Sequence, residues 1–114
     1  MAGQRMRRVN EAIREVLSEA IAGGLKDPRI GFVTVVGVDT SPDLRAAKVY
    51  VSVLGAEDER EKTLAGLRHC HGYLQSLLAG QLGMKRTPLL TFVLDESIEH
   101  GMRIEKLLKE IEEG

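Results

Sequence analysis

Two β-forming runs, Phe32 to Asp39 and Ala47 to Leu54, stand either side of a short turn-rich link containing Asp39, Thr40, Ser41, Pro42 and Asp43. A parallel pair of strands needs a crossover of about a dozen or more residues, so a link this short forces the two runs to pair antiparallel. In the second run Ala47, Val49, Val51 and Val53 alternate with Lys48, Tyr50 and Ser52. That period of two predicts a sheet with one buried and one open face. The rest of the chain must supply whatever covers the buried face.

Helical patterns surround the hairpin. Met6, Val9, Ile13, Val16, Leu17, Ala20 and Ile21 recur at three- and four-residue spacing, and Gly23 and Gly24 close the helix they predict. Lys26, Asp27, Pro28, Arg29, Ile30 and Gly31 follow as a loop. After Gly55, the acids Glu57, Asp58 and Glu59 suit a helix N-terminus, and Leu64, Leu67, Cys70, His71, Leu74, Leu77 and Leu78 carry a long second helix. Gly72 falls off that apolar stripe, so its missing side chain serves the backbone, and a kink or break is expected there. Gly80 and Gly83 end the helical region. Leu89 to Asp95 reads as a third strand with Leu90, Phe92 and Leu94 on one face, and Ser97 caps a last helix whose apolar side is Ile104, Leu107, Leu108 and Ile111. The predicted order is α, β, β, α with a kink, β, α, as one domain over residues 1–114, with no repeat or linker to divide it.

Composition narrows the function classes. With 43% hydrophobic and 29% charged residues the chain is ordinary for a soluble globular protein, and no run approaches the ~20 apolar residues of a membrane span. The single cysteine, Cys70, rules out an internal disulfide and fits a reducing, cytoplasmic setting. A net charge of −1 argues against nucleic-acid binding by bulk charge. The charge is nonetheless unevenly spread. Arg5, Arg7 and Arg8 open the chain without an acid, and between residues 60 and 90 Arg60, Lys62, Arg68, Lys85 and Arg86 are opposed by Glu61 alone. From Asp95 onward acids dominate.

His69, Cys70 and His71 form the one cluster of metal-binding or nucleophilic residue types. Successive helical residues point about 100 degrees apart, so the three cannot converge on one ion. His69 is expected to face solvent, with Cys70 and His71 flanking the leucine stripe and Cys70 acting as a small hydrophobe. Asp95, Glu96 and Glu99 are explained by an acidic helix start rather than a magnesium site. No phosphate-binding glycine loop, nucleophile elbow or zinc-protease motif is present. No catalytic residue, metal or cofactor is expected. Aromatic content is 4%, and Tyr50 alone is placed on an outward strand face, which disfavours a base-stacking sheet.

The residues themselves resemble the ribosome-binding factor A family almost end to end. The similarity includes Arg8, Val9, Asn10, Glu11 and Ile13, then Asp27 to Gly31, then the stretch Ser41 to Gly55 reading SPDLRAAKVYVSVLG. Arg86, Thr87, Pro88, Leu90, Phe92, Asp95, Ser97, Gly101, Arg103, Ile104, Leu107 and Leu108 complete it. The resemblance implies an α+β, type II KH-like fold with helices on one side of a three-stranded sheet. It also implies a non-catalytic cytoplasmic factor that binds 16S ribosomal RNA and the immature 30S subunit, assists precursor processing and helps adaptation to cold. In this family an AxG kink between two helices replaces the usual KH loop, and Cys70, His71 and Gly72 occupy its place, with Cys a departure from Ala.

Three candidate RNA surfaces follow. The kink is expected to gather Arg68, His69, Lys85 and Arg86; Arg45 and Lys48 lie beside Tyr50; Arg7, Arg8 and Arg14 lie on the first helix. A monomer is expected when the protein is free. Two other readings compete: a KH-like protein-interaction module that docks to a protein partner, favoured by the negative net charge and acidic last helix, and a small thiol enzyme using Cys70.

Overall fold

A computed structural model describes residues 2–95. Its elements are α1 (Ala2–Ala22), β1 (Val33–Thr40), β2 (Ala46–Val53), α2 (Glu57–His69), α3 (His71–Leu82) and β3 (Leu89–Leu94). The last helix expected from Ser97 onward lies outside the described residues.

β1 and β2 pair antiparallel, as their short link requires, with Val33 opposite Val53 and Thr40 opposite Ala47. The register shifts between Val35 and Gly37, a bulge that leaves Val36 without a partner. β3 adds to the other side of β2 and runs parallel to it, so the strand order is β1-β2-β3. The two helices between β2 and β3 serve as the crossover that a parallel pair demands.

Ala47, Val49, Val51 and Val53 of β2, Val35 of β1, and Leu90 and Phe92 of β3 are buried on one face. Against them pack Ile13, Val16 and Leu17 of α1, Leu64 and Leu67 of α2, and Leu74 and Leu78 of α3, all in one apolar cluster. This is the expected α+β arrangement, with helices on a single side of a three-stranded sheet. Asn10 ties α1 to the far end of β1, its Oδ1 accepting the Thr40 backbone N–H at 2.9 Å.

Two local expectations are corrected. The helix break falls at Cys70, which has φ −87° and ψ 5°, and not at Gly72, which sits inside the first turn of α3. Leu67 near the end of α2 and Leu74 at the start of α3 are both fully buried on either side of the break. A straight helix would carry the apolar stripe on through His71. Instead His71 turns outward and is exposed, its Nδ1 lying 2.8 Å from the Arg68 carbonyl oxygen. Gly80 continues the helix, and Gly83 alone ends it, in the left-handed conformation at φ 63°.

Candidate nucleic-acid interface

The three basic surfaces differ in how far acids already neutralise them. On α1, Arg7 and Arg8 are exposed, but Arg14 is engaged with Glu11 at 2.6 Å. Their shared hydrogen bond lowers the Glu11 pKa and raises that of Arg14. At the hairpin, Arg45 stands 3.9 Å from the Asp43 carboxylate, and Lys48 lies directly across the strand pair from Asp39. Tyr50, on the same open face, is half-buried.

The α2–α3 break is different. Between residues 63 and 94 the chain contains no Asp or Glu, yet it carries Arg68, Lys85 and Arg86 together with His69 and His71. All five are exposed, and among the described residues the three strong cations form no ion pair. Arg68 and His69 end α2, while Lys85 and Arg86 lie on the loop between α3 and β3. Gln75 pins that loop beside the first half of α3 by donating from Nε2 to the Pro88 carbonyl at 3.0 Å, with Thr87 Oγ1 at 3.5 Å.

Gly72 contributes open space. A Cβ built there meets nothing within 4 Å, so packing does not demand the glycine. Its bare backbone leaves room for another backbone to come close. Next to it Tyr73 is 59% exposed, a large ring presented to solvent at the break. Sequence reasoning missed Tyr73 because it sits in the leucine-rich helical run, where an aromatic passes for core.

A second loop abuts the break. Asp27 is buried, and its Oδ1 accepts the Arg29 backbone N–H and Nε–H, both at 3.0 Å, while Oδ2 accepts from Nη2 at 2.7 Å. The Arg29 side chain, then its backbone N–H, holds the Asp27 carboxyl down to about 2. Thr63 of α2 accepts from the Gly31 N–H at 3.2 Å and donates to the Arg29 carbonyl at 3.3 Å. Beneath the loop Gly66 has no side chain, and a Cβ there would lie 2.6 Å from Ile30 Cγ1. Thr63 and Gly66 were invisible as partners in the sequence, because more than thirty residues separate Thr63 from the loop it holds.

Cys70 packs half-buried against the core, and burial pushes its thiol pKa up. A raised pKa withholds the thiolate that a nucleophile or metal ligand needs. Among the described residues no three His, Cys, Asp or Glu side chains are grouped to hold a metal ion, and no helix is long and apolar enough to cross a membrane. The arrangement suits binding of a polyanion along a neutral-to-basic surface, with backbone access at Gly72 and a ring at Tyr73.

A ribosome-binding factor A from Brevibacillus brevis is 48% identical over 107 residues, covering 94% of this chain and 88% of that protein. One from Halothermothrix orenii is 45% identical, covering 99% and 93%. The crystal structure of ribosome-binding factor A from Thermus thermophilus superposes with a TM-score of 0.69 at 30% identity, over 78% of this chain and 94% of that one. A Thermus thermophilus homology model fitted into the cryo-EM map of a 30S–RbfA complex gives 0.64 at 31% identity, over 76% and 91%. The family model for ribosome-binding factor A matches residues 5–108, and the chain belongs to the ribosome-binding factor A family.

Proposed function

We propose that the protein binds the immature small (30S) ribosomal subunit through 16S ribosomal RNA, using the surface at the α2–α3 break, and assists processing of the precursor without catalysing a reaction. The observation that carries the choice of surface is the set of exposed cations Arg68, Lys85 and Arg86, in a stretch with no acid to neutralise them. Arginine and lysine there grip phosphates, which positions the RNA without reading its sequence. Gly72 lets the RNA backbone approach the first turn of α3, and Tyr73 offers a face on which a base stacks. Membership of the family and the likeness to a factor fitted on the 30S subunit support the ribosomal partner. This reading makes the protein a monomeric, single-domain cytoplasmic factor without metal or cofactor.

The test is to change Arg68→Glu, Lys85→Glu and Arg86→Glu together and measure affinity for 30S subunits across a salt series. Every phosphate that a cation no longer neutralises lowers the slope of log K against log salt by about 0.7 to 0.9, so the triple variant is expected to lose about 2 to 3 in slope. An unchanged affinity and slope would falsify the assignment of this surface. Salt-insensitive binding by the native protein would point to a protein partner instead.

A further inference from the structure

The loop from Asp27 to Gly31 is not needed for the reading above, yet its construction is costly. Among the described residues Asp27 is the one charged side chain that is buried. A buried carboxylate is expensive to desolvate and is often replaceable by apolar packing without loss of stability. What the burial secures here is the orientation of Arg29. The Asp27 side chain is 5% exposed and that of Arg29 is 44% exposed, so the pair has a fixed inner half and an outer half in water. Of a guanidinium's five N–H donors, Asp27 takes Nε–H and one on Nη2, and the others remain for a partner outside.

The pair also stands at the right place. Arg29 Cβ lies 3.4 Å from where a Gly66 side chain would begin, one turn before the break. His69 acts electrostatically on Asp27. Thr63 grips the loop backbone on both sides of Ile30, so the guanidinium is carried on a seated segment rather than a free loop. A planar donor fork held in one orientation is the form in which arginine recognises phosphate by paired hydrogen bonds.

We propose that Arg29, oriented by buried Asp27, is a phosphate-binding residue beside the α2–α3 break and extends the RNA surface onto the loop before β1. The inference rests on the RNA-binding reading of that surface. Because Asp27 cancels the charge of Arg29 at a distance, Arg29 acts by direct hydrogen bonds more than by long-range attraction. Losing it therefore weakens binding at fixed salt while changing the salt slope less than loss of an unpaired lysine does.

The experiment compares Arg29→Lys and Arg29→Gln with Lys85→Gln in binding to 30S subunits, with circular dichroism and urea titration fixing the folded fraction of each. Both Arg29 variants are expected to bind about tenfold more weakly or worse, since hydrogen bonds to charged groups are strong and lysine lacks the fork. Lys85→Gln is expected to show the larger drop in slope. Folded Arg29→Lys that binds like the native protein overturns the proposal and leaves the pair as a loop clamp. Should both variants misfold, phenylglyoxal modification of native protein gives the answer by mass spectrometry. Arg29 protected by 30S subunits supports the proposal, and Arg29 modified equally with and without them overturns it. If the Arg68, Lys85 and Arg86 triple variant binds normally, the underlying surface is wrong; if it fails while Arg29→Lys binds normally, only the role of Arg29 is wrong.

Discussion

Gly66 and Gly72 are both helical glycines near the same break, and the structure gives their alanine variants opposite expected effects. Alanine is favoured over glycine in a helix interior by about 1 kcal/mol. At Gly66 that gain is opposed, because the new Cβ would sit 2.6 Å from Ile30 Cγ1 and 3.4 Å from both Arg29 Cβ and Asp27 Cγ. Ile30 Cγ1 is not the free end of a long side chain, and the loop it belongs to is held by Thr63, so relief requires the loop to lift. Overpacking of this kind costs about 1 to 3 kcal/mol, which leaves a net loss of about 1 kcal/mol for Gly66→Ala. For a chain of this size that is a fall in Tm of roughly 4 to 8 °C. At Gly72 nothing lies within 4 Å of the added Cβ, so Gly72→Ala keeps the helical gain, with Tm unchanged or raised. On the proposed RNA surface the same methyl is expected to obstruct the approach of an RNA backbone, so affinity for 30S subunits is expected to fall although stability does not. Thermal melts and 30S binding on the two variants check both halves. A Gly66→Ala protein more stable than the native one would refute the packing argument, and a Gly72→Ala protein with native affinity would refute the access argument.

Other substitutions probe other parts of the structure. Phe92 is 1% exposed in the core, and Phe92→Ala is expected to cost about 3 to 5 kcal/mol in a urea titration. Thr40 is buried and its Oγ1 has no hydrogen-bond partner among the described residues, so Thr40→Val is expected to be neutral or to gain up to about 1 kcal/mol by the same measurement. The Asp27 carboxyl is held down to about 2 in the folded protein, against about 3.9 for an unfolded Asp. A lowered folded pKa gives stabilisation that is complete above the unfolded value and lost as pH falls through the folded one. Acid titration of Asp27→Asn should therefore show a shallower loss of stability between about pH 4 and 2 than the native protein does. Cys70→Ala removes a half-buried thiol with a raised pKa, and 30S binding is expected to be unchanged; loss of function would revive a thiol mechanism.

The sequence by itself settled whatever depends on near neighbours. Period-two and helical stripes placed α1, β1, β2 and β3 to within a few residues, because the alternation of side chains follows directly from backbone geometry. The short link made β1 and β2 antiparallel, since the chain has no length in which to cross over. The basic stretch around the break was likewise legible as a run of charge. Only the tertiary structure decided that β3 runs parallel to β2 on its outer side, that the chain bends at Cys70 and exposes His71, and that Tyr73 faces solvent. It alone showed that acids stand against Arg14, Arg45 and Lys48 while Arg68, Lys85 and Arg86 form no ion pair among the described residues. The seat formed by Thr63 and Gly66 receives a loop more than thirty residues earlier in the chain. Local pattern dictates which face of an element is apolar, but the partner that face meets is set by packing between segments far apart in sequence.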